Sequence, residues 1–163
     1  MQPDMQSDAM LPAPHDAVTD DVPAGFEPYE HRGPYFNAIG PIYVRRLESG
    51  ALILAVRVAE KHLNLGGVTH GGMLLTLADG AMSANLVHAR VPRARNVTVS
   101  LSSEFMEGAR AGDWLEAHVT LPKVGGKLAF ADCRLMVGER CILHANGVFS
   151  VVAAPTGQNR SDG

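Results

Sequence analysis

The chain has 163 residues, 46% of them hydrophobic, which suits one domain with a real core and gives no reason to expect two. Its formal charge of −3 argues against a nucleic-acid partner, which favours a basic face, and no apolar run reaches the length needed to span a bilayer. The first residues lack the basic region and apolar core of a signal peptide, so a cytoplasmic location is expected.

Residues 1–25 carry Asp4, Asp8, Asp16, Asp20 and Asp21, several prolines and no Lys or Arg. That composition buries too little apolar surface to offset its ordering entropy, and a mostly disordered acidic tail is predicted. Phe26 to Asn37 reads as a short helix or turn lying against the domain. Ile42 to Leu47, a turn at Glu48-Ser49-Gly50, and Ala51 to Ala59 read as a hairpin, because Leu52, Leu54, Val56 and Val58 alternate with the period of a strand.

A glycine-rich stretch, Asn64-Leu65-Gly66-Gly67-Val68-Thr69-His70-Gly71-Gly72, then leads to a helix start. Met73, Leu74, Leu77, Ala78, Ala81, Met82 and Leu86 follow, apolar around almost the whole helical circumference, the distribution of a buried helix. Val91-Pro92 closes off any helix before Arg93.

Beyond it, Val97, Val99, Leu101, Ser103 and Phe105 alternate with Thr98, Ser100, Ser102 and Glu104, which predicts a strand with one apolar face. Trp114 to Leu121 alternates again, Gly125-Gly126 turns into Leu128 to Val137, and Gly138-Glu139 turns into Cys141 to Val152. Asn146-Gly147 has the composition of a hairpin turn, but a break there leaves two stubs; a bulge or close backbone approach at Gly147 is expected instead. The domain therefore spans 26–153, with a polar tail over 154–163, and the layout is α+β, one long helix on an antiparallel sheet.

Cys133 and Cys141 have neither metal nor redox spacing, and a tight turn over Val137 to Arg140 sets Cys141 opposite Met136 rather than Cys133. Two reduced thiols are expected. The seven His are scattered without a ligand set, so no metal or other cofactor is expected.

Asp79 is a carboxylate in the middle of the apolar helix, and a buried charge costs several kcal/mol unless paired or neutralised. A structural reading has it on a solvated stripe, bonded to Thr76 or Ser83. A functional one follows from context. Asn64, the Gly-rich loop, His70-Gly71-Gly72 and the helical Leu77-Ala78-Asp79 together resemble the hotdog-fold acyl-CoA thioesterases of the phenylacetate-degradation (PaaI-like) family, and the similarity runs from about Phe36 to Val152. The resemblance implies a hotdog fold, with the long central helix on a curved antiparallel sheet. It implies hydrolysis of an acyl-CoA bearing an aromatic or medium-chain acyl group, and sites shared between the subunits of a dimer that is often paired again. Thr98 matches the hydroxyl that the family uses near its Asp.

The residues can support that chemistry. A thioester has an acidic leaving thiol, with a pKa of about 8.5, so hydrolysis needs no metal. It needs an oxyanion donor, a carboxylate acting as base or nucleophile, and groups that hold water and substrate. Gly71 at the helix start offers a backbone N–H and the positive end of the dipole, Asp79 the carboxylate, Asn64 an amide, and His70 a hydrogen bond beside the carbonyl. Structural alternatives stand beside each: Asn64 as a loop cap, His70 as a donor to a carbonyl, Gly71 as a packing glycine, Thr98 as an ordinary strand residue.

Gly71 and Asp79 lie eight residues apart, about 12 Å along a helix axis, so one chain does not readily bring both to one thioester carbon. A two-fold partner can. For the phosphates of coenzyme A, cations after the helix (Arg90, Arg93, Arg95) and Lys123 and Lys127 are candidates, with Gly126 and Lys127 carried forward. Two other functions remain in view. A hotdog hydratase or dehydratase centres on a different His-containing motif, and a non-catalytic acyl-CoA-binding module has no use for Asp79.

Overall fold

The computed structural model describes residues 21–30 and 33–152; the expected acidic tail up to Asp20 and the polar C-terminal tail lie outside the described residues. Residues 21–25, counted with the tail, form a turn in which Phe26 N–H donates to the Pro23 carbonyl at 3.2 Å. The Arg57 guanidinium donates to the Asp21 carbonyl. Phe26 then meets the Trp114 ring edge-on at 5.1 Å between centroids, which pins this segment to the sheet.

In chain order the elements are β1 (Glu27–Pro28), α1 (Pro34–Ala38), β2 (Ile42–Arg46), β3 (Leu52–Arg57), a short 3-10 turn (Glu60–His62), α2 (Gly71–His88), β4 (Arg95–Phe105), β5 (Trp114–Val124), β6 (Leu128–Val137) and β7 (Arg140–Val152). They build one seven-stranded antiparallel sheet in the order β1-β2-β3-β5-β6-β7-β4. Hairpins join β2 to β3, β5 to β6 and β6 to β7. The connection through α2 is the long one, and it carries the chain across the sheet to the far edge, where β4 pairs with β7 alone. The sheet curves around α2, giving the expected α+β arrangement.

The helix is buried because its apolar residues leave no polar face wide enough to stand in water. Leu77, Ala78, Ala81, Met82 and Leu86 are 0% exposed and Met73 and Leu74 nearly so. Each fully buried Leu or Met contributes about 1.5–3 kcal/mol. The sheet meets them with small residues, Ala117, Ala131, Ala145 and Gly147, between larger ones such as Leu115, Leu135 and Phe149. Gly147 is the close approach expected from the sequence: a Cβ there would lie 2.5 Å from the Phe149 ring and 3.2 Å from Met82 Cε. β7 accordingly runs through Asn146-Gly147 unbroken. α2 ends at His88, four residues before Pro92.

The β6–β7 turn places Cys141 opposite Met136 and Cys133 opposite Ala145. Both cysteines are free, and burial pushes the Cys133 thiol up to about 12.

One strand departs from its predicted faces. In β4, Thr98 pairs with Phe149 but Ser100 pairs with Val148, so Val99 is an extra residue, a bulge. Paired residues across a ladder share a face. Asn96 and Thr98 therefore sit on the helix side with Val151 and Phe149, while beyond the bulge Leu101, Ser103 and Phe105 take that side. The single apolar face expected from Val97 to Phe105 is thus split. Val97 and Val99 point away from α2 and are 57% and 60% exposed.

Asn85, which no sequence pattern singles out, is a polar residue only 4% exposed. Its Oδ1 accepts the Leu52 N–H at 2.8 Å, and its Nδ2 donates to the Leu52 carbonyl at 2.9 Å and the Ala81 carbonyl at 3.0 Å. Pairing of β3 with β5 begins only at Leu54, so Asn85 stands in for the missing strand at the end of β3. Asn85→Ala leaves two buried backbone groups unpaired and is expected to lower stability by about 2–4 kcal/mol. Chemical denaturation at fixed protein concentration measures this, and a loss under about 0.5 kcal/mol, as at an ordinary surface site, would mean that the clamp contributes nothing.

Candidate active site

Asp79 lies on the stretch of α2 that faces α1 and the sheet's edge strand, β4. Neither structural partner foreseen for it is used. Thr76 Oγ1 donates to the Gly72 carbonyl at 2.8 Å, and Ser83 Oγ donates to Asn96 Oδ1 at 2.8 Å. Asp79 Oδ1 instead accepts a 2.7 Å hydrogen bond from Thr98 Oγ1. The β4 bulge makes this contact possible by turning Thr98 towards the helix. Asn96, two residues earlier on the same face, adds a second tie by donating to the Ser83 carbonyl at 3.1 Å.

Thr98 engages one carboxylate oxygen and so sets the rotation of the group about its last bond. A cavity of about 730 Å³ opens beside this pair. Asp79, Thr98, Thr76 and Ser83 supply its polar wall, and Leu52, Leu75, Leu101, Tyr29, Tyr35 and Phe36 its apolar walls. Arg46, His88 and Arg93 also line it. Of the cations foreseen after the helix, Arg93 reaches the cavity; Arg90 donates to the Gly125 carbonyl at 2.7 Å instead. Gly126 and Lys127 sit at the β5–β6 turn, outside this cavity, where the Lys127 carbonyl accepts the Val151 N–H at 2.9 Å. Arg46 and His88 were not singled out beforehand; neither belongs to a local pattern, and only the fold brings them to the same wall.

The remaining site residues gather at the other end of the same helix face. His70 is the N-cap of α2, with Nδ1 accepting the Gly72 N–H at 3.0 Å. That bond requires the neutral ring to carry its proton on Nε2, which makes Nε2 a donor. Gly71 is the first helical residue, and its N–H has no carbonyl four residues back within the helix. A Cβ on Gly71 would come within 3.1 Å of the Phe105 ring, so this glycine also has the packing role foreseen as its alternative.

Asn64 likewise does what a loop cap does. Its Oδ1 accepts the Gly66 N–H at 2.8 Å, and its backbone N–H donates to the Val68 carbonyl at 2.8 Å. The side-chain oxygen is therefore committed to the loop, and Nδ2 is the part of the amide left for other work. His62 supports this end from below. It is 3% exposed, its Nδ1 accepts the Ala59 N–H at 3.0 Å, and its carbonyl accepts the His70 N–H at 2.7 Å. Burial, with a smaller push from Lys61 and against the pull of the Ile39 carbonyl, holds the His62 ring below the usual imidazole range. It is a neutral strut under the N-cap.

The candidate site residues of one chain therefore fall into two groups. Asp79 and Thr98 come together at the large cavity; Asn64, His70 and Gly71 form a second group at the helix N-terminus and do not line it. Tyr35 and Thr76 stand between, since both also line a smaller cavity of about 440 Å³ that includes His70 and Gly72.

Among the described residues, no helix is long and apolar enough to cross a membrane, and no group of three or more His, Cys, Asp or Glu could hold a metal ion.

Residues 66–141 match the family model described as "Thioesterase superfamily". The chain is 43% identical over 128 residues to "Putative esterase PA0474" of Pseudomonas aeruginosa, covering 78% of this chain and 96% of that one. It is 32% identical over 84 residues to acyl-coenzyme A thioesterase 13 of Mus musculus, covering 52% of this chain and 59% of that one. Among solved structures, the Escherichia coli PaaI protein from the phenylacetic acid degradation operon superposes with a TM-score of 0.66 at 21% identity, covering 72% of this chain and 83% of that one. The long helix wrapped by an antiparallel sheet is the hotdog fold, and with it the chain belongs to the thioesterase superfamily and is a thioester hydrolase.

Proposed function

We propose that the protein hydrolyses acyl-CoA thioesters, with Asp79 as the carboxylate that acts at the thioester carbon. The observation that carries this reading is the Asp79–Thr98 hydrogen bond at the wall of the large, mostly apolar cavity. A carboxylate fixed by a hydroxyl and facing a space that fits an acyl group suits either attack on the carbonyl or deprotonation of a water. Both routes use the ionised form.

The acyl group occupies the space between α1, α2 and β4. The carbonyl oxygen is held by the Gly71 N–H at a helix N-terminus, where the dipole favours developing negative charge, and by the Nε2–H of His70. Asn64 Nδ2 holds the water or the carboxylate. The departing thiolate needs little help, because thiols are acidic. Acyl-coenzyme A thioesterase 13 carries in its name the substrate class that this reading adopts. Arg93 and Arg46, with Lys127 and Gly126 further out, are the groups offered to the phosphates of coenzyme A.

Since Asp79 and Gly71 belong to separate half-sites, the working unit is a dimer in which each site takes Asp79 and Thr98 from one chain and Asn64, His70 and Gly71 from the other. β4 supports this. It is an edge strand with one side unpaired, and Val97, Val99, Phe105 and Met106 on or beside it are each more than half exposed. Leu128 and Phe130 extend the apolar surface on the outer face, which suits pairing of two dimers.

Asp79→Asn keeps the shape, and its amide oxygen still accepts from Thr98. Its kcat for the best acyl-CoA, followed by thiol release, is expected to fall by at least about 10²-fold, in the range of an acid/base group, with KM and assembly little changed. Turnover near wild type would remove Asp79 from the chemistry. The shared site has its own test. Asp79→Asn and Asn64→Ala chains, each inactive alone, are expected to regain about a quarter of wild-type activity when co-expressed, because mixed two-fold dimers restore one intact site. Activity that does not recover in purified mixed dimers would place the whole site within one chain.

A further inference from the structure

The residue after the catalytic-site carboxylate is Gly80, and it has no room for a side chain. A Cβ there would lie 2.1, 2.6 and 2.8 Å from three atoms of the Phe36 ring. These are distances that no relaxed structure tolerates, so the ring is seated in the recess that the missing side chain leaves. Phe36 comes from α1, a separate element held independently of α2. Pro34 opens it after Gly33 at φ 93, Asn37 N–H closes back to the Gly33 carbonyl at 3.0 Å, and Lys61 Nζ ties the following Gly40 carbonyl at 2.6 Å. Both Phe36 and Gly80 line the large cavity beside Asp79. The ring is thus a wall placed one residue from the reacting carboxylate, and its position is set by a contact with α2 backbone rather than by its own helix.

We propose that the Phe36–Gly80 contact is the specificity gauge of this enzyme: the ring, held against the bare backbone of α2, sets how long and how bulky an acyl group can lie beside Asp79. The proposal rests on the reading of this cavity as the acyl site. An apolar wall acts on substrate choice through burial of methylenes, and each one admitted or refused changes transition-state binding about fourfold. Phe36 touches neither the carbonyl nor the attacking group, so its removal alters which acyl chains are turned over rather than the chemistry on those that already fit.

The test is kcat/KM, by thiol release from the full-length protein, across straight-chain acyl-CoAs of increasing length. Wild type, Phe36→Ala, Phe36→Leu, Gly80→Ala and the double variant Phe36→Ala/Gly80→Ala are compared, with melting temperature recorded for each. Wild type is expected to fall off beyond a limiting length. Phe36→Ala moves that limit outward and raises the ratio of long-chain to short-chain kcat/KM at least about tenfold, the effect of two newly buried methylenes, with Phe36→Leu between the two. Gly80→Ala, by displacing the ring, shifts the same ratio in the same direction, and adds nothing in the Phe36→Ala background because both act through one contact. An unchanged length profile in an active, folded Phe36→Ala protein overturns the proposal and leaves acyl-CoA hydrolysis intact. Failure of the wild-type protein to hydrolyse any member of the series, or an aromatic acyl-CoA run beside it, overturns the functional reading itself. Should Gly80→Ala not fold, the two Phe36 variants decide alone.

Discussion

The closeness of α2 to the sheet is the constraint on which the rest depends. A helix that is apolar nearly all round must be enclosed, and this one is enclosed by a sheet whose facing residues are repeatedly Ala or Gly. Gly147 marks the limit, since the Phe149 ring occupies the place of its missing side chain and Met82 of α2 packs closely beside it. Held at that distance, α2 has little freedom to slide or roll, and every functional group mounted on it inherits a fixed position. Asn85 completes the constraint by exchanging hydrogen bonds with both backbone groups of Leu52. The polar residues that remain, Thr76, Asp79 and Ser83, fall on the stretch that runs beside the edge strand β4 and α1, and the cavity lies there.

Much of this was legible in the sequence because periodicity and turn chemistry report directly on burial. The apolar run around the helical circumference marks α2, alternation marks β3 and β5, and the turn residues Gly125-Gly126 and Gly138-Glu139 mark the hairpins that carry β6 and β7. The α+β class follows from the order of those elements. The family resemblance drew Asn64, His70, Gly71, Asp79 and Thr98 together as one constellation, and the fold divides it into two groups along the helix. The eight-residue spacing from Gly71 to Asp79 already contained that division.

What the sequence did not reveal depends on contacts between distant segments. Val97-Thr98-Val99 reads the same whether or not the strand holds an extra residue, so the bulge leaves no trace in the alternation. Phe36 and Gly80 are 44 positions apart, and neither is unusual for its element. Asn85 looks like a mid-helix polar residue until β3 is seen to end without a neighbour. Asn64 is different: both a chemical use of its amide and a loop cap were foreseen, and its oxygen does bond the loop that presents it. In the proposed reaction Nδ2 serves the chemistry while Oδ1 serves the architecture.

The bulge at Val99 has a consequence for how this chain can change over time. A strand with one residue of slack does not respond to a lost or gained residue as a regular strand does. Deletion of Val99 would make Thr98 and Ser100 neighbours opposite the neighbours Phe149 and Val148, and the ladder to β7 would close as a regular one. Asn96 and Thr98 would keep the helix side, and so would Leu101 and Phe105. An added residue has no such outlet: it must form a second bulge or turn one end of the strand over. Among related chains, then, the segment from Arg95 to Phe105 can be one residue shorter and still hold a hydroxyl against the helix.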